Sequence, residues 1–129
     1  MEDQLSAEAT AKNLLRRILP ERQWDQLSET GMLEIPGSRG IYRISIRDLT
    51  RVLETETRRP RASACLQLTV PAPVNDRIIA EYLLIRNDEN LYWQTATITP
   101  EPAPSRRPLV LLLAAFDTIM LLILLAQLR

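Results

Sequence analysis

Residue 117 is an aspartate set where a charge is most costly. It lies near the middle of residues 109–128, LVLLLAAFDTIMLLILLAQL, in which only Asp117, Thr118 and Gln127 are polar. An ionisable side chain at that depth of an apolar segment reads as functional by default. Ala114 and Thr118 are four residues apart with Asp117 beside them, and such a stripe of small and polar residues suits close helix approach and interhelical hydrogen bonding. Ala114, Asp117 and Thr118 are therefore expected to contact a second helix. Two readings compete with this one: a protonated passenger carried by its leucine flanks, and a member of a proton relay.

The second chemistry-bearing group is basic. Residues 39–61 hold seven arginines (Arg39, Arg43, Arg47, Arg51, Arg58, Arg59, Arg61) against Asp48, Glu54 and Glu56. Such a surface would take a phosphate or an anionic lipid headgroup, with Arg39, Arg43, Arg47 and Arg51 as its candidate contacts. A head tethered near an anionic leaflet gains about 1 kcal/mol per arginine close to the surface. The bland reading is a solvated sheet face on which Arg43 and Arg47 lie opposite Glu54 and Glu56, each cross-strand pair contributing ~0.2–1 kcal/mol. Nucleic acid is disfavoured. Arg39-Gly40-Ile41-Tyr42 echoes the start of an RNA-recognition strand, but the stacking aromatics that should follow are missing. Sixteen cations against sixteen anions is also not the balance of a DNA-coating protein.

Composition excludes much else. The chain has no histidine, which removes imidazole-ligated metals and histidine-activated nucleophiles. Its one cysteine, Cys65, allows no internal disulfide and no cysteine-cluster metal site. Without a neighbouring base Cys65 reads as a packed structural thiol. Three glycines, two of them in one turn, leave no phosphate loop. Asp76, Glu81, Asp88 and Glu89 fall near helix starts, where they complement the dipole, and they show no acid–base spacing. The expectation is a non-enzyme with no cofactor and no metal.

These residues need elements to hold them. As a helix, residues 109–128 would span ~30 Å, the hydrocarbon thickness of a bilayer. Thirteen of the twenty are Leu, Ile, Val or Phe, worth roughly −4 to −8 kcal/mol together against roughly +3 for the central Asp. A single transmembrane helix follows, since about a hundred other residues cannot enclose an all-round apolar helix. Arg106 and Arg107 precede it and only Arg129 lies beyond, which keeps the N-terminal side in the cytoplasm. The first residues, MEDQLSAEA, lack the apolar core of a signal peptide. The arrangement expected is tail-anchored in the cell (inner) membrane. Residues 99–108, rich in proline, read as a semi-rigid spacer, of which 100–108 reach ~28 Å at ~3.1 Å per residue.

Residues 1–98 read as one α+β head, with helices packed on a short antiparallel meander. Ser6 caps a first helix running to Leu19, with Ala7, Ala11, Leu14, Leu15 and Ile18 as its stripe. Pro20 opens a second, Glu21 to about Thr30, which Gly31 stops. A strand from Met32 to Ile35 leads into a turn at Pro36-Gly37-Ser38-Arg39-Gly40. Alternation predicts strands over 41–47, 50–57 and 63–70, the last with Leu66, Leu68 and Val70 on one face. Asn75 or Asp76 caps a helix burying Ile78, Ile79, Tyr82 and Leu83, and a short helix begins near Asp88.

Residues 11–97 resemble a small bacterial α+β module to which no function is attached. The likeness rests on Leu14-Leu15 with Ile18-Leu19-Pro20, Gly31, the run from Gly37 to Ile44, Cys65, Pro71, Asp76, Leu83-Leu84 and Asp88-Glu89. The chain departs from that pattern at Trp93. The resemblance implies a compact α+β head and no activity. The function expected is an accessory or adaptor subunit of a larger membrane complex, with membrane proteins and the bilayer as partners. The alternative is a peripheral adaptor whose arginines recruit anionic lipid or nucleic acid.

Overall fold

The structure is a computed structural model, and it describes residues 1–102. They form an α+β domain with the order α1 (Glu2–Ile18), α2 (Glu21–Thr30), β1 (Met32–Gly37), β2 (Gly40–Ser45), β3 (Thr50–Leu53), β4 (Pro60–Cys65), α3 (Val74–Asn87), α4 (Glu89–Thr95) and β5 (Thr97–Pro100). The five strands make one antiparallel sheet in the order β1-β2-β3-β4-β5. Among these residues no helix is long and apolar enough to cross a membrane. Residues 103–129 lie outside the description, and with them Arg106, Arg107, Ala114, Asp117 and Thr118.

Register sorts the strands into two faces. Leu33 pairs with Ile44 and Ile35 with Tyr42; Tyr42 pairs with Val52 and Val52 with Ala62. All six are buried, under α3 and α4. Each fully buried Leu or Ile contributes roughly 1.5–3 kcal/mol. α1 lies against α3, with Ala11 and Leu15 buried, and α2 lies along β1. The other face carries Glu34, Arg43, Arg51, Ser63 and Thr99 in a row across the sheet. α3 runs from one end of the strands to the other. Near its start the Arg77 guanidinium donates to the Ser45 carbonyl at 2.6 Å, while Glu89, just past its end, meets the Ser38–Arg39 turn.

Several boundaries differ from the sequence reading. α1 starts at Glu2 with no side-chain cap from Ser6, because Glu2 and Asp3 already suit the first turn's dipole. Ala7 and Leu14 are exposed, so the buried stripe is narrower than expected. Pro36 and Gly37 belong to β1, leaving a two-residue turn at Ser38-Arg39; proline is tolerated there because β1 is an edge strand. β2 stops at Ser45, so Ile46 is exposed and leaves the face of Tyr42 and Ile44.

β4 begins and ends earlier than 63–70. Ala62 and Ala64 are its buried residues, Leu66 just past its end is also buried, and Leu68 and Val70 are exposed. Alanine fits under close-packed helices where leucine would not, and a hydropathy scan reads past it. α3 follows Pro73 with no side-chain cap from Asn75 or Asp76, and it buries Glu81 and Ile85 where Leu83 was expected. β5 was not foreseen. Its pairing with β4 absorbs Thr99 and Pro100, the first two residues read as spacer.

Candidate functional site

The arginines predicted to share a surface are distributed along the sheet. Arg43 and Arg51 are brought together, directly opposite one another on β2 and β3. Arg39 sits in the β1–β2 turn at one end of the strands, and Arg47 in the β2–β3 loop at the other. The expected pairing of Arg43 and Arg47 with Glu54 and Glu56 does not form. Arg43 instead bonds Glu34, its register partner on β1, through Nε at 3.0 Å and Nη2 at 2.8 Å. Arg47 lies beyond the strand and has no residue opposite it.

Glu34 also receives Arg58, at 2.6 Å. Arg58 comes from the β3–β4 loop, two strands away. Its φ of 56° is the one left-handed non-glycine conformation among the described residues, at a cost of order 1–3 kcal/mol. The ion pair holds that loop towards β1 on the side away from the helices. Leu53, which register places on the same side, is only 1% exposed. Hydrogen bonding to Arg58 outweighs the burial of Glu34 and, with Arg43, holds its carboxyl below the ordinary range. The fold also brings Glu89 to the Ser38–Arg39 turn, and Glu101 to Ser63 at 2.8 Å, next to Arg51 in register. Three glutamates from outside residues 39–61 thus reduce the basic excess read from that stretch.

Glu89 fastens that turn. It accepts from Ser38 N at 2.9 Å, Ser38 Oγ at 2.6 Å, Arg39 N at 3.1 Å and the Tyr42 hydroxyl. Trp93 Nε1 donates to the same Tyr42 oxygen at 2.6 Å, and the Arg39 guanidinium lies 4.7 Å from the Trp93 ring centre while bonding Asn90. Burial works against the charged carboxylate, but the bonds from Ser38, Tyr42 and the two amides overcome it and bring Glu89 down to about 2. Burial, with Glu89 beside it, pushes the Tyr42 phenol well up. Gly37 leaves room for this lock, since a Cβ would stand 2.5 Å from the Tyr42 ring and 2.8 Å from Glu89 Oε1 and force them to shift.

A second network surrounds Glu81, which is fully buried on α3. Its carboxylate meets Arg77 Nη1 at 2.9 Å, Thr50 Oγ1 at 2.9 Å and the Tyr92 hydroxyl at 3.2 Å. Burial raises its pKa against the pull of Arg77 and these donors. The sequence placed Glu81 near a helix start; it is mid-helix, and its role is in the core. Asp88 does cap α4, accepting from Leu91 N at 3.0 Å.

Each of these carboxylates is occupied by donors of the same chain, which is the arrangement of a structural lock. Cys65 ends β4 half-buried as a free thiol. Among the described residues no group of three His, Cys, Asp or Glu side chains is placed to hold a metal. The sequence contained one signal for the Glu89 lock: a glycine before a two-residue turn and a carboxylate in the first turn of a helix. Nothing in their spacing, some fifty residues apart, joins them. No family model matches this chain, and comparison with curated proteins and with solved structures gives no match.

Proposed function

We propose that this chain is a non-enzymatic accessory or adaptor subunit of a membrane complex, anchored once through residues 109–128 with its head in the cytoplasm. The observation that carries this reading is the twenty-residue apolar run behind Arg106 and Arg107, interrupted at its centre by Asp117. The head adds support. Its perturbed carboxylates are taken up by donors of the same chain, and Arg43 and Arg58 are paired with Glu34, which favours a protein partner over a lipid- or nucleic-acid-recruiting surface.

Co-purification of the full chain in mild detergent tests the proposal. A stoichiometric membrane-protein partner is expected, and a chain that purifies alone from intact membranes refutes the subunit role. Asp117 sharpens the result. If it hydrogen-bonds across helices, Asp117→Leu weakens association by ~0.6–2 kcal/mol while Asp117→Asn is nearly tolerated. If it pairs with a charge, both substitutions fail. Identical association of wild type, Asn and Leu forms removes Asp117 from the interface.

A further inference from the structure

Tyrosines apart, the buried polar residues among the described ones are Ser45, Thr50 and Glu81. All three bear on one place. Ser45 ends β2 and Thr50 begins β3, so they bracket the loop 46–49, and α3 holds both. Arg77 Nη2 donates to the Ser45 carbonyl at 2.6 Å, and Nη1 to Glu81 Oε2 at 2.9 Å. Thr50 Oγ1 donates to that same Oε2 at 2.9 Å. Ser45 Oγ in turn accepts from the amides of Arg47 and Asp48. The loop is thus clamped at both ends through one carboxylate oxygen, while Ile46, Arg47, Asp48 and Leu49 are exposed. Stability does not account for such a cluster, since a well-packed apolar replacement of a buried ion pair is often as stable.

The clamp depends on the charge of Glu81. As a carboxylate it accepts from Arg77, Thr50 and Tyr92. Once protonated it must donate from one oxygen, and one of the three donors has to give way. The Thr50 and Tyr92 hydroxyls can reverse and accept; a guanidinium cannot. Arg77 also loses the counter-charge that compensates it away from water, a costly state. It has a way out, being 22% exposed and lining a groove of about 380 Å³ beside Leu68 and Val74. The groups facing Glu81 are few. α3 supplies Arg77, β3 supplies Thr50, α4 supplies Tyr92, and β2 supplies Tyr42 behind the Tyr92 ring. α1 and β1 bury only apolar side chains. Burial raises the Glu81 pKa, so its proton arrives at a higher pH than on a surface glutamate.

We infer that Glu81 and Arg77 form a proton-operated latch on the β2–β3 loop: when Glu81 takes a proton from solvent, Arg77 swings into the groove, lets go of the Ser45 carbonyl, and residues 46–49 loosen. A proton taken up in the core thereby changes the surface that Ile46 and Leu49 present. The latch belongs to the head and does not depend on how the chain is anchored.

The test uses the full chain in detergent in a Cys65→Ser background, with a nitroxide at Asp48→Cys in the loop. A control carries it at Leu83→Cys, exposed on α3. Spectra are recorded from about pH 8.5 to about pH 4.5, and the carbon-13 shift of the Glu81 carboxyl reads its protonation separately. The correlation time of the loop label is expected to shorten at least about twofold, a change on the nanosecond scale of loop motion. It should follow the Glu81 titration, with a midpoint above the ordinary ~4.3, while the control label stays unchanged. Glu81→Gln, neutral at every pH, should keep the loop mobile throughout. Arg77→Met, which removes the donor to Ser45, should do the same, and with the titration it decides the matter where Glu81→Gln does not fold. A loop label indifferent to Glu81 protonation, or one that still responds to pH in Glu81→Gln, overturns the inference. So does a control label that loosens together with the loop, which is acid unfolding, and so does a Glu81 carboxyl that keeps one form over the whole range.

Discussion

Glu81 and Glu89 flank the junction of α3 and α4, and each meets a tyrosine hydroxyl, yet their surroundings drive them in opposite directions. Glu89 sits at a half-exposed turn where two amides, a serine and Tyr42 all donate to it, so the ionised form is favoured. Glu81 sits in the core with Arg77, Thr50 and Tyr92, and loss of water outweighs those donors. Their tyrosines touch, Tyr42 and Tyr92 meeting edge to face with ring centres 5.7 Å apart. Donor number alone does not set a carboxylate's preferred charge. The water left around it decides how much those donors must offset.

The largest expected effect comes from breaking the buried side of this pair. Glu81→Ala strands Arg77, Thr50 and Tyr92 together and should cost about 3–5 kcal/mol, read by urea denaturation of the head followed through tryptophan fluorescence. Arg77→Met sharpens the result. Without its cation, Glu81 has a folded pKa raised further above the unfolded value, so the deficit relative to wild type should grow as pH rises through the ordinary carboxylate range and beyond. A deficit that is constant between pH 4 and 8 would refute the buried-charge account.

A smaller loss, about 1–3 kcal/mol, is expected for Gly37→Ala, whose methyl meets the Tyr42 ring and the Glu89 carboxylate. Pairing it with Tyr42→Phe tests whether the two act at one place, since the double variant should cost less than the sum of the singles. Smallest is Glu89→Gln, about 1–2 kcal/mol at neutral pH. Its folded pKa of about 2 lies below the unfolded value of ~4.3. The stability it confers is complete above that unfolded value and is lost as pH falls through the carboxylate range towards 2. Wild type and Glu89→Gln should therefore converge in acid. Glu34 shifts in the same direction and retains part of the acid dependence in the variant.

The helices and the meander were legible because their apolar periods, their stops at Pro20 and Gly31, and the helix start at Asp88 are local signals. The boundaries of the sheet were less so. Ala62 and Ala64 carry too little hydropathy to mark β4, and Leu68 and Val70 drew the reading beyond its end. β5 is four residues with no buried large side chain, and only its partner β4 makes it a strand. The site residues divide in the same way. The arginine run was visible as composition, but Glu34, which takes Arg43 and Arg58, lies outside that run, and the reach of Arg58 to it across the sheet is a product of topology. Ile46 falls in the alternating run 41–47 yet is exposed, because alternation says which residues share a face and not where the strand stops.

The β5 strand also decides how the head would bear load. The described chain leaves the head through the last strand of the sheet, held to β4 by four register pairs and then by Glu101 to Arg61. A pull along the strand axis stresses those rungs together, in shear, whereas a pull across the sheet opens them one after another from Pro100. The same attachment is stiff in one direction and a zipper in the other, so a force applied to the chain at residue 102 is resisted most firmly when it points down the strands.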